Sequence, residues 1–273
     1  MSAPVRIERD GSGGVVVRVT LARPSTRNAL DADTIEALHA AFRDLAAAAP
    51  GRLRAVVLAG DGPAFCAGAD RAWMRAALAL SLEENEADAS RLAAMLAAID
   101  ACPVPVVARV QGAALGGGAG LCAVADVVVA EATTRFGFPE VRLGLVPATI
   151  APYVVRRIGE GAARALFVTG ERIDAHEARR IGLVHRVAEG EAALDGAVDE
   201  VLAAILAGGP EAVRAAKSLV REVAGRPVED PGLAAETAGL LAERRASAEA
   251  REGLAAVDER RPAAWMPPDD VGA

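Results

Sequence analysis

The sequence predicts an α/β protein whose C-terminal part is helical, and three observations support this prediction. Apolar, often β-branched runs alternate with amphipathic segments through the first two thirds of the 273 residues. Glycine-rich turns follow two of these runs, at the strand ends where α/β sheets usually bind ligands. From about residue 191, nearly all residues are helix formers. We therefore expect a core over residues 1–195 and a helical module over residues 196–273.

The composition excludes several function classes. The chain is 52% hydrophobic but only 3% aromatic, so its core must be aliphatic, and its formal net charge of -7 argues against a nucleic-acid surface. The three cysteines lack zinc or redox spacing, so we expect no metal site and a reduced, cytoplasmic setting. We also expect neither a membrane span nor, over residues 1–10, a signal peptide.

Up to residue 100, two strands alternate with three helical segments. The strands are predicted over residues 15–21 and 55–59, where apolar and β-branched residues dominate. The helical segments are predicted over about residues 31–48, 73–80 and 82–100. The last has the clearest start, because Ser81 followed by Glu84 forms a capping-box pattern.

A third strand over residues 104–110 leads into a stretch rich in glycine, residues 111–121. Glycine lets backbone N–H groups approach a ligand closely, and a helix that begins here adds the positive end of its dipole. The small residues 67–70 follow the second strand in the same way. Two converging N–H groups could hold a thioester carbonyl and stabilise its enolate. The alternative is that these glycines only permit tight turns.

Beyond this stretch, helical residues reach about residue 123 and a strand covers residues 127–130. Further helices are predicted over about residues 150–158, 161–168 and 175–180. The C-terminal part is interpreted as two or three amphipathic helices, with breaks at residues 208–210 and 225–227. Residues 262–273 contain three prolines and are expected to be poorly ordered.

Glu140 is the best single candidate for acid–base catalysis. It follows proline in a loop bordered by phenylalanine and glycine, where partial desolvation raises a carboxyl pKa toward working pH. From the local sequence alone, a surface loop glutamate is the commoner case. No histidine adjoins a serine or cysteine motif, so a nucleophilic triad is rejected. Arg27 and Arg71 could meet phosphates, whereas Arg23 is expected to be a solvated surface charge.

A Rossmann phosphate loop is the nearest alternative for the glycine stretch. Residues 118–123 fit the loose glycine pattern, and Glu140 lies near the distance expected for a ribose-binding acid. Six residues separate Val110 from Gly117, however, which is too long for that tight turn. The motif also lies mid-chain rather than in a first βαβ unit, so this alternative is weak.

Four motifs taken in order carry a resemblance to a known family. They are ARP with NAL at residues 22–24 and 28–30, FCAGAD at 65–70, GAALGGG at 112–118, and PE at 139–140. Together they resemble the crotonase (enoyl-CoA hydratase/isomerase) superfamily over about residues 14–190. The resemblance implies a spiral core of ββα turns and C-terminal helices that build trimers, often dimers of trimers. It also implies an acyl-CoA substrate and no cofactor beyond its CoA moiety.

The resemblance also implies roles for individual residues. Aligned with the family motif, the oxyanion donors fall on the N–H groups of Ala69 and Gly117, and the catalytic acid falls on Glu140. The segment after Ala69 usually lines the CoA adenine and phosphate, and a loop before it also contacts CoA. The CoA-binding residues implied in this way are Arg27, Ala67, Asp70, Arg71 and Ala72.

One position departs from the family pattern. Typical hydratases carry two glutamates, but here Gly120 stands at the first position and only Glu140 remains. A glycine cannot carry a proton, and one-acid members of the family often act as double-bond isomerases, which need a base and an oxyanion hole.

A longer resemblance favours hydration instead. Residues 67–74, 82–89 and 140–155 look like the bacterial methylglutaconyl-CoA and isohexenylglutaconyl-CoA hydratase branch, whose members often also have glycine at the first acid position. Arg71 stands where an apolar residue is more usual. Because these strings are longer, we prefer an acyl-CoA hydratase. The alternatives are an enoyl-CoA isomerase and a non-catalytic acyl-CoA-binding scaffold.

Overall fold

The computed structural model describes residues 3–9, 14–49 and 51–266. In chain order, its strands are β1 (Val5–Arg9), β2 (Val16–Leu21), β3 (Ala55–Gly60), β4 (Val106–Val110), β5 (Ala113–Leu115), β6 (Val127–Glu131), β7 (Arg135–Gly137), β8 (Arg172–Asp174) and β9 (Arg186–Ala188). The helices are α1 (Ala32–Ala48), α2 (Arg71–Ala77), α3 (Leu82–Asp100), α4 (Gly117–Val124), α5 (Ala151–Thr169), α6 (Ala175–Arg180), α7 (Glu191–Ala207), α8 (Pro210–Val223), α9 (Pro231–Ala246) and α10 (Ala248–Asp258). Short 3-10 turns cover Pro24–Thr26 and Pro139–Leu143.

The strands form two sheets, which confirms the α/β prediction. The larger sheet has the order β1-β2-β3-β4-β6-β9 and is parallel except for β1, which runs antiparallel to β2. In the smaller sheet, β7 pairs in parallel with β5 and antiparallel with β8. Every residue of β3 and β4 is buried. This burial on both faces explains why their sequences are continuously apolar rather than alternating.

Successive side chains along a strand point to opposite faces of the larger sheet. Val106 and Ala108 of β4 join the main core, whereas Val107 between them packs in a second cluster with α7. Val198 and Val201 of α7 belong to this second cluster, although they lie beyond residue 195. The helix at the start of the C-terminal part thus covers a face of the sheet, and a division at residue 195 stays a prediction.

The C-terminal part consists of the helices α7 to α10, within the residues described, rather than the two or three expected. The additional break lies at Ser247, which has extended backbone angles and caps α10 by accepting the Ala250 N–H at 3.0 Å. The predicted breaks before α8 and before α9 are both present. Trp265 donates to the Ala207 carbonyl at 3.1 Å, so the chain is fixed there. The expectation of disorder over residues 267–273 lies outside the described residues.

Sequence periodicity missed the shortest strands. Three residues are too few to show an alternating pattern, which explains why β5, β7, β8 and β9 were not predicted. Strand β1 was missed because four of its five residues are exposed. The helices expected over residues 150–158 and 161–168 are both present as the two parts of α5, and they are separated by a kink at Gly159, where φ is 76°.

The sequence predicts neither a membrane-spanning segment nor a signal peptide. Among the described helices, none has both the length and the apolar character needed to cross a bilayer. The signal-peptide expectation over residues 1–10 falls partly outside the described residues, since residues 1, 2 and 10 are not among them.

Candidate active site

The two glycine-containing loops lie against each other at the ends of β3 and β4. The Cys66 N–H donates to the Ala113 carbonyl at 3.0 Å, and the Leu115 N–H donates to the Cys66 carbonyl at 3.0 Å. These bonds form an isolated parallel bridge between Cys66 and Ala114. The loops that the sequence singled out are therefore joined through their backbones.

Each loop presents at least one backbone N–H that has no acceptor within the described part of the chain. Around Ala69, the Leu30 N–H donates to the Gly68 carbonyl at 2.7 Å and the Asp70 N–H donates to the Leu30 carbonyl at 2.8 Å. This parallel bridge uses the residues on either side and leaves the Ala69 N–H open. Gly117 is the first residue of α4, where N–H groups have no partner within the helix.

Glycine is required where the loops touch. Gly68 has a φ of +97°, and a Cβ at this residue would stand 2.9 Å from the Leu115 carbonyl oxygen. A Cβ on Gly118 would stand 3.0 Å from the Cys66 carbonyl carbon and closer still to its oxygen. Any larger residue would push the loops apart, so these glycines set the spacing of the two open donors.

Glu140 lies on the 3-10 turn beside the second loop. Its Oε1 is 2.8 Å from the point where a Cβ on Gly116 would stand. Its Oε2 is buried and has no hydrogen-bond partner among the described residues. Burial raises the pKa of this carboxyl above its ordinary value. Glu140 is therefore a partly desolvated carboxyl with a free oxygen, and not the surface glutamate that local sequence would suggest.

Aromatic packing holds the turn that carries Glu140. Phe138, at the start of the turn, is fully buried and meets the Phe167 ring edge-on, with centroids 5.1 Å apart. Val141 approaches Gly170 at the end of α5. The turn that carries Glu140 is thus held against α5.

No acid faces Glu140 from the position after the glycine triplet. Gly120 is buried in α4, and a Cβ there would overlap the Ile150 side chain, standing 3.0 Å from its Cβ and closer to its Cγ2. The space beyond Gly120 is therefore filled by hydrocarbon. The described residues also contain no group of histidine, cysteine and acidic side chains that could hold a metal ion.

Asp70 has structural contacts of its own. Its Oδ1 accepts the Ala72 N–H at 2.8 Å and the Trp73 N–H at 3.4 Å, so it caps α2. Although burial acts to raise it, the pKa of Asp70 is lowered overall by these N–H groups and by Arg23. Arg71 and Ala72 lie exposed in the first turn of α2, next to the Ala69 loop.

Arg23 is not the solvated surface charge that the sequence suggested. Its guanidinium donates to the Ala29 carbonyl at 2.7 Å and pairs with Asp31 at 2.8 Å and Asp70 at 3.3 Å. The side chain is only 24% exposed. The expectation was wrong because these partners lie up to 47 residues away in sequence, and Arg23 in fact braces the loop that carries Ala69.

Asn28 and Arg27 fix the neighbouring loop. The Asn28 side chain donates to the carbonyls of Asp61 and Ala64, each at 2.8 Å, and it is 1% exposed. The Arg27 side chain is exposed, while its carbonyl accepts the Ala67 N–H at 3.0 Å. The implied CoA-contacting residues Arg27 and Ala67 are therefore adjacent in space.

This site can stabilise an oxyanion and move a proton. Two open N–H donors, those of Ala69 and Gly117, lie on adjoining loops. The desolvated carboxyl of Glu140 lies against Gly116, the residue before the second donor. In other enzymes, one such donor lowers a barrier by roughly 3 kcal/mol, because the donors are already oriented before charge develops.

Comparison with known proteins identifies the family of the chain. The family model for enoyl-CoA hydratase/isomerase matches residues 11–268. A Rhodobacter capsulatus protein described as a probable enoyl-CoA hydratase is 39% identical over 258 residues, covering 92% of this chain and 94% of its own length. Pseudomonas aeruginosa AtuE superimposes with a TM-score of 0.89 at 37% identity, covering 96% of this chain and 99% of that one.

A second solved structure is similar to this chain in fold. A Legionella pneumophila structure that carries the name crotonase superimposes with a TM-score of 0.87 at 37% identity, covering 97% of this chain and 100% of that one. The expected crotonase fold is thereby confirmed. The chain belongs to the enoyl-CoA hydratase/isomerase family and is an enzyme of that family.

Proposed function

We propose that this enzyme adds water across the 2,3-double bond of an enoyl-CoA thioester, with Glu140 as its single acid–base group. The observation that carries the proposal is the position of the Glu140 carboxyl. It has a buried oxygen that finds no partner among the described residues, and it lies against Gly116, next to the open N–H of Gly117. A base and an oxyanion hole are the two parts that this addition requires.

The proposed reaction uses one proton carrier. As a water oxygen attacks C3, the Glu140 carboxylate accepts one of the water protons, and the π electrons move through C2 onto the thioester oxygen. The N–H groups of Ala69 and Gly117 stabilise this enolate oxygen. The enolate then collapses, C2 takes the proton from the Glu140 carboxyl, and the carboxylate is regenerated.

For the substrate, we propose a CoA thioester with a branched, methylglutaconyl-like acyl chain. The support is the resemblance of residues 67–74, 82–89 and 140–155 to that hydratase branch. The exposed residue Arg27 is bonded to the Ala67 N–H through its carbonyl, and the exposed residue Arg71 directly follows Asp70. Two cations therefore lie beside residues 67–70, where they suit CoA phosphates. Ala67, Asp70 and Ala72 would shape the backbone of the same CoA-binding segment.

We also propose a homotrimer or a dimer of trimers in the cytoplasm. Within the described residues, α8 and α9 contain no fully buried residue. Val220 is 66% exposed and Leu241 is 50% exposed, while α10 adds Leu254 at 69% and Val257 at 75%. Exposed apolar helices of this extent suit contact with further copies of the chain.

Isomerisation of a 3-enoyl-CoA to the 2-enoyl ester is the second candidate. It is favoured by the glycine at residue 120, which stands where a second catalytic acid would otherwise lie. One carboxylate can remove a proton from C2 and return it to C4 while the same oxyanion hole holds the dienolate. Because Ile150 fills the space beyond Gly120, the site offers no second acid there.

A panel of CoA esters separates these possibilities. The purified enzyme is offered crotonyl-CoA, 3-methylglutaconyl-CoA and a 3-enoyl-CoA, and the products are separated and identified by mass. A product heavier by one water from the 2-enoyl esters supports hydration. Conversion of only the 3-enoyl ester, without a mass change, replaces hydration by isomerisation. Tight CoA binding without turnover of any ester would favour the scaffold alternative and end the proposal.

A further inference from the structure

A glycine that precedes α4 and a glycine within it leave room for two different side chains. Gly116 and Gly120 are one turn apart and are joined by the Gly120 N–H, which donates to the Gly116 carbonyl at 2.9 Å. The missing Cβ of Gly116 would stand 2.8 Å from Glu140 Oε1, and the missing Cβ of Gly120 would overlap Ile150. One helical turn is about 5.4 Å long. The Glu140 carboxyl therefore lies against the residue that precedes α4, and the Ile150 side chain packs against the helix four residues further along the chain.

Ile150 is well placed to exclude water from this region. It lies at the start of α5, is 2% exposed, and packs in the main hydrophobic core. Its Cγ2, Cβ and Cδ1 all lie within 4 Å of the point where a Cβ on Gly120 would stand. A side chain at residue 120, or a water molecule in the same space, has no room while Ile150 is present.

The charged groups around Glu140 are engaged elsewhere. The only titratable side chain of α4 is Cys122, which is buried. On α5, Arg156 pairs with Asp100 and lies over the Tyr153 ring, and Arg157 donates to the carbonyls at the end of α4. Glu160 and Arg164 pair with each other at an exposed site.

Two further charges lie on or next to the segments that carry the site. Arg142, on the same turn as Glu140, is exposed beside Gly170. Asp70 is paired with Arg23 and bonded to the first N–H groups of α2. Burial, rather than a charged neighbour, therefore sets the environment of Glu140.

We propose that Ile150 is a positioning residue for the proton transfer: it closes the bare face of α4 beside Glu140 with hydrocarbon and leaves Glu140 as the only proton carrier there. This inference rests on the proposed role of Glu140 as the base. Part of the burial that raises the pKa of Glu140 is then supplied by Ile150. A more polar side chain at residue 150 should stabilise the carboxylate and weaken it as a base.

A matched pair of variants tests this. Ile150→Thr and Ile150→Val have nearly the same shape and differ mainly by a hydroxyl in place of a methyl group. In the pH profile of kcat, we expect the acid limb of Ile150→Thr to lie at lower pH than that of Ile150→Val, with Ile150→Val close to the unmodified enzyme. Ile150→Ala, which admits water to the same face, should shift the limb in the same direction as Ile150→Thr. Identical acid limbs in the Thr and Val variants would overturn the inference.

A second readout does not depend on turnover. The Glu140 carboxyl is titrated by carbon NMR on protein with labelled glutamate, with Glu140→Gln identifying its signal. A lower carboxyl pKa in Ile150→Thr than in Ile150→Val supports the inference, and equal values overturn it. If no enoyl-CoA ester is turned over, the proposed function fails while this comparison still decides the role of Ile150.

The steric half of the inference has its own test by thermal unfolding. Gly120→Ala places a methyl group against Ile150 Cγ2 and should lower Tm. Ile150→Ala removes that methyl, so Gly120→Ala should lower Tm less in the Ile150→Ala background than in the unmodified protein. Ile150→Val keeps a methyl at the same place and should give little relief. A loss of Tm from Gly120→Ala that is the same in all three backgrounds would overturn the steric pairing.

Discussion

Glu140 Oε1 stands 2.8 Å from the point that a Cβ on Gly116 would occupy. The proposed base and the first glycine of the triplet are therefore complementary in shape, although 24 positions separate 116 from 140 in the sequence. The same glycine has a φ of +50° and donates its N–H to the Gly137 carbonyl at 2.9 Å, which ties the α4 entry to the strand before Glu140. Glycine at residue 116 thus positions the carboxyl relative to the oxyanion donors.

Gly116→Ala should displace the Glu140 carboxyl and lower kcat on the order of 100-fold, since misplacing a reacting group by about 1 Å has effects of that size. Turnover of the ester identified by the substrate panel is measured together with CoA affinity. Gly190→Ala is the matched control, because Gly190 before α7 also has positive φ, at +87°, but a Cβ there would meet nothing within 4 Å. Equal loss of kcat in both variants would assign the effect to backbone strain rather than to Glu140.

Glu140 should reduce stability at neutral pH. Because burial raises its folded-state pKa above the ordinary 4.5, the folded protein holds this proton more tightly than the unfolded chain. The resulting stability is fully present below pH 4.5 and is lost as pH rises through the folded-state pKa. Glu140→Gln removes this loss, so its Tm relative to the unmodified protein should be higher at pH 8 than at pH 4. A Tm difference that does not change with pH, or that changes in the opposite direction, would contradict the assigned burial.

Arg23→Gln should destabilise the protein by roughly 1–3 kcal/mol, because it leaves the half-buried Asp31 and Asp70 without their cation. The free energy of unfolding is measured in urea. The control is Arg164→Ala, which breaks an ion pair with Glu160 whose side chains are 74% and 75% exposed, and it should change stability by no more than about 0.5 kcal/mol. Equal effects of the two variants would show that Arg23 does not brace the loop.

Leu241→Glu should weaken the proposed trimer without unfolding the chain, since Leu241 is 50% exposed and belongs to neither buried core cluster of the residues described. Sedimentation velocity over a range of concentrations gives the oligomeric state, and circular dichroism checks the fold. Leu82→Glu on α3, where the leucine is 85% exposed, is the control outside the C-terminal helices. An unchanged trimer in Leu241→Glu together with dissociation in Leu82→Glu would place the contact elsewhere.

Local signals in the sequence predicted the longer elements well. The capping box at Ser81 and Glu84 places the start of α3 correctly, and β3 and α6 lie where their residue patterns indicate. Such signals depend on neighbours within a few positions. The contacts that shape the site depend on residues far apart, as in the pairing of Arg23 with Asp70 and the packing of Ile150 on Gly120. No local pattern reports these contacts, so the surroundings of Glu140 required the structure.

The most direct test of the account is the turnover of Glu140→Gln on the preferred 2-enoyl-CoA ester. Glutamine keeps the shape of the side chain but cannot accept and return a proton. With the fold and CoA affinity retained, we expect hydration to fall by at least about 100-fold, the lower end of what a positioned acid–base group contributes. Hydration within a few-fold of the unmodified enzyme would contradict the claim that Glu140 carries the proton.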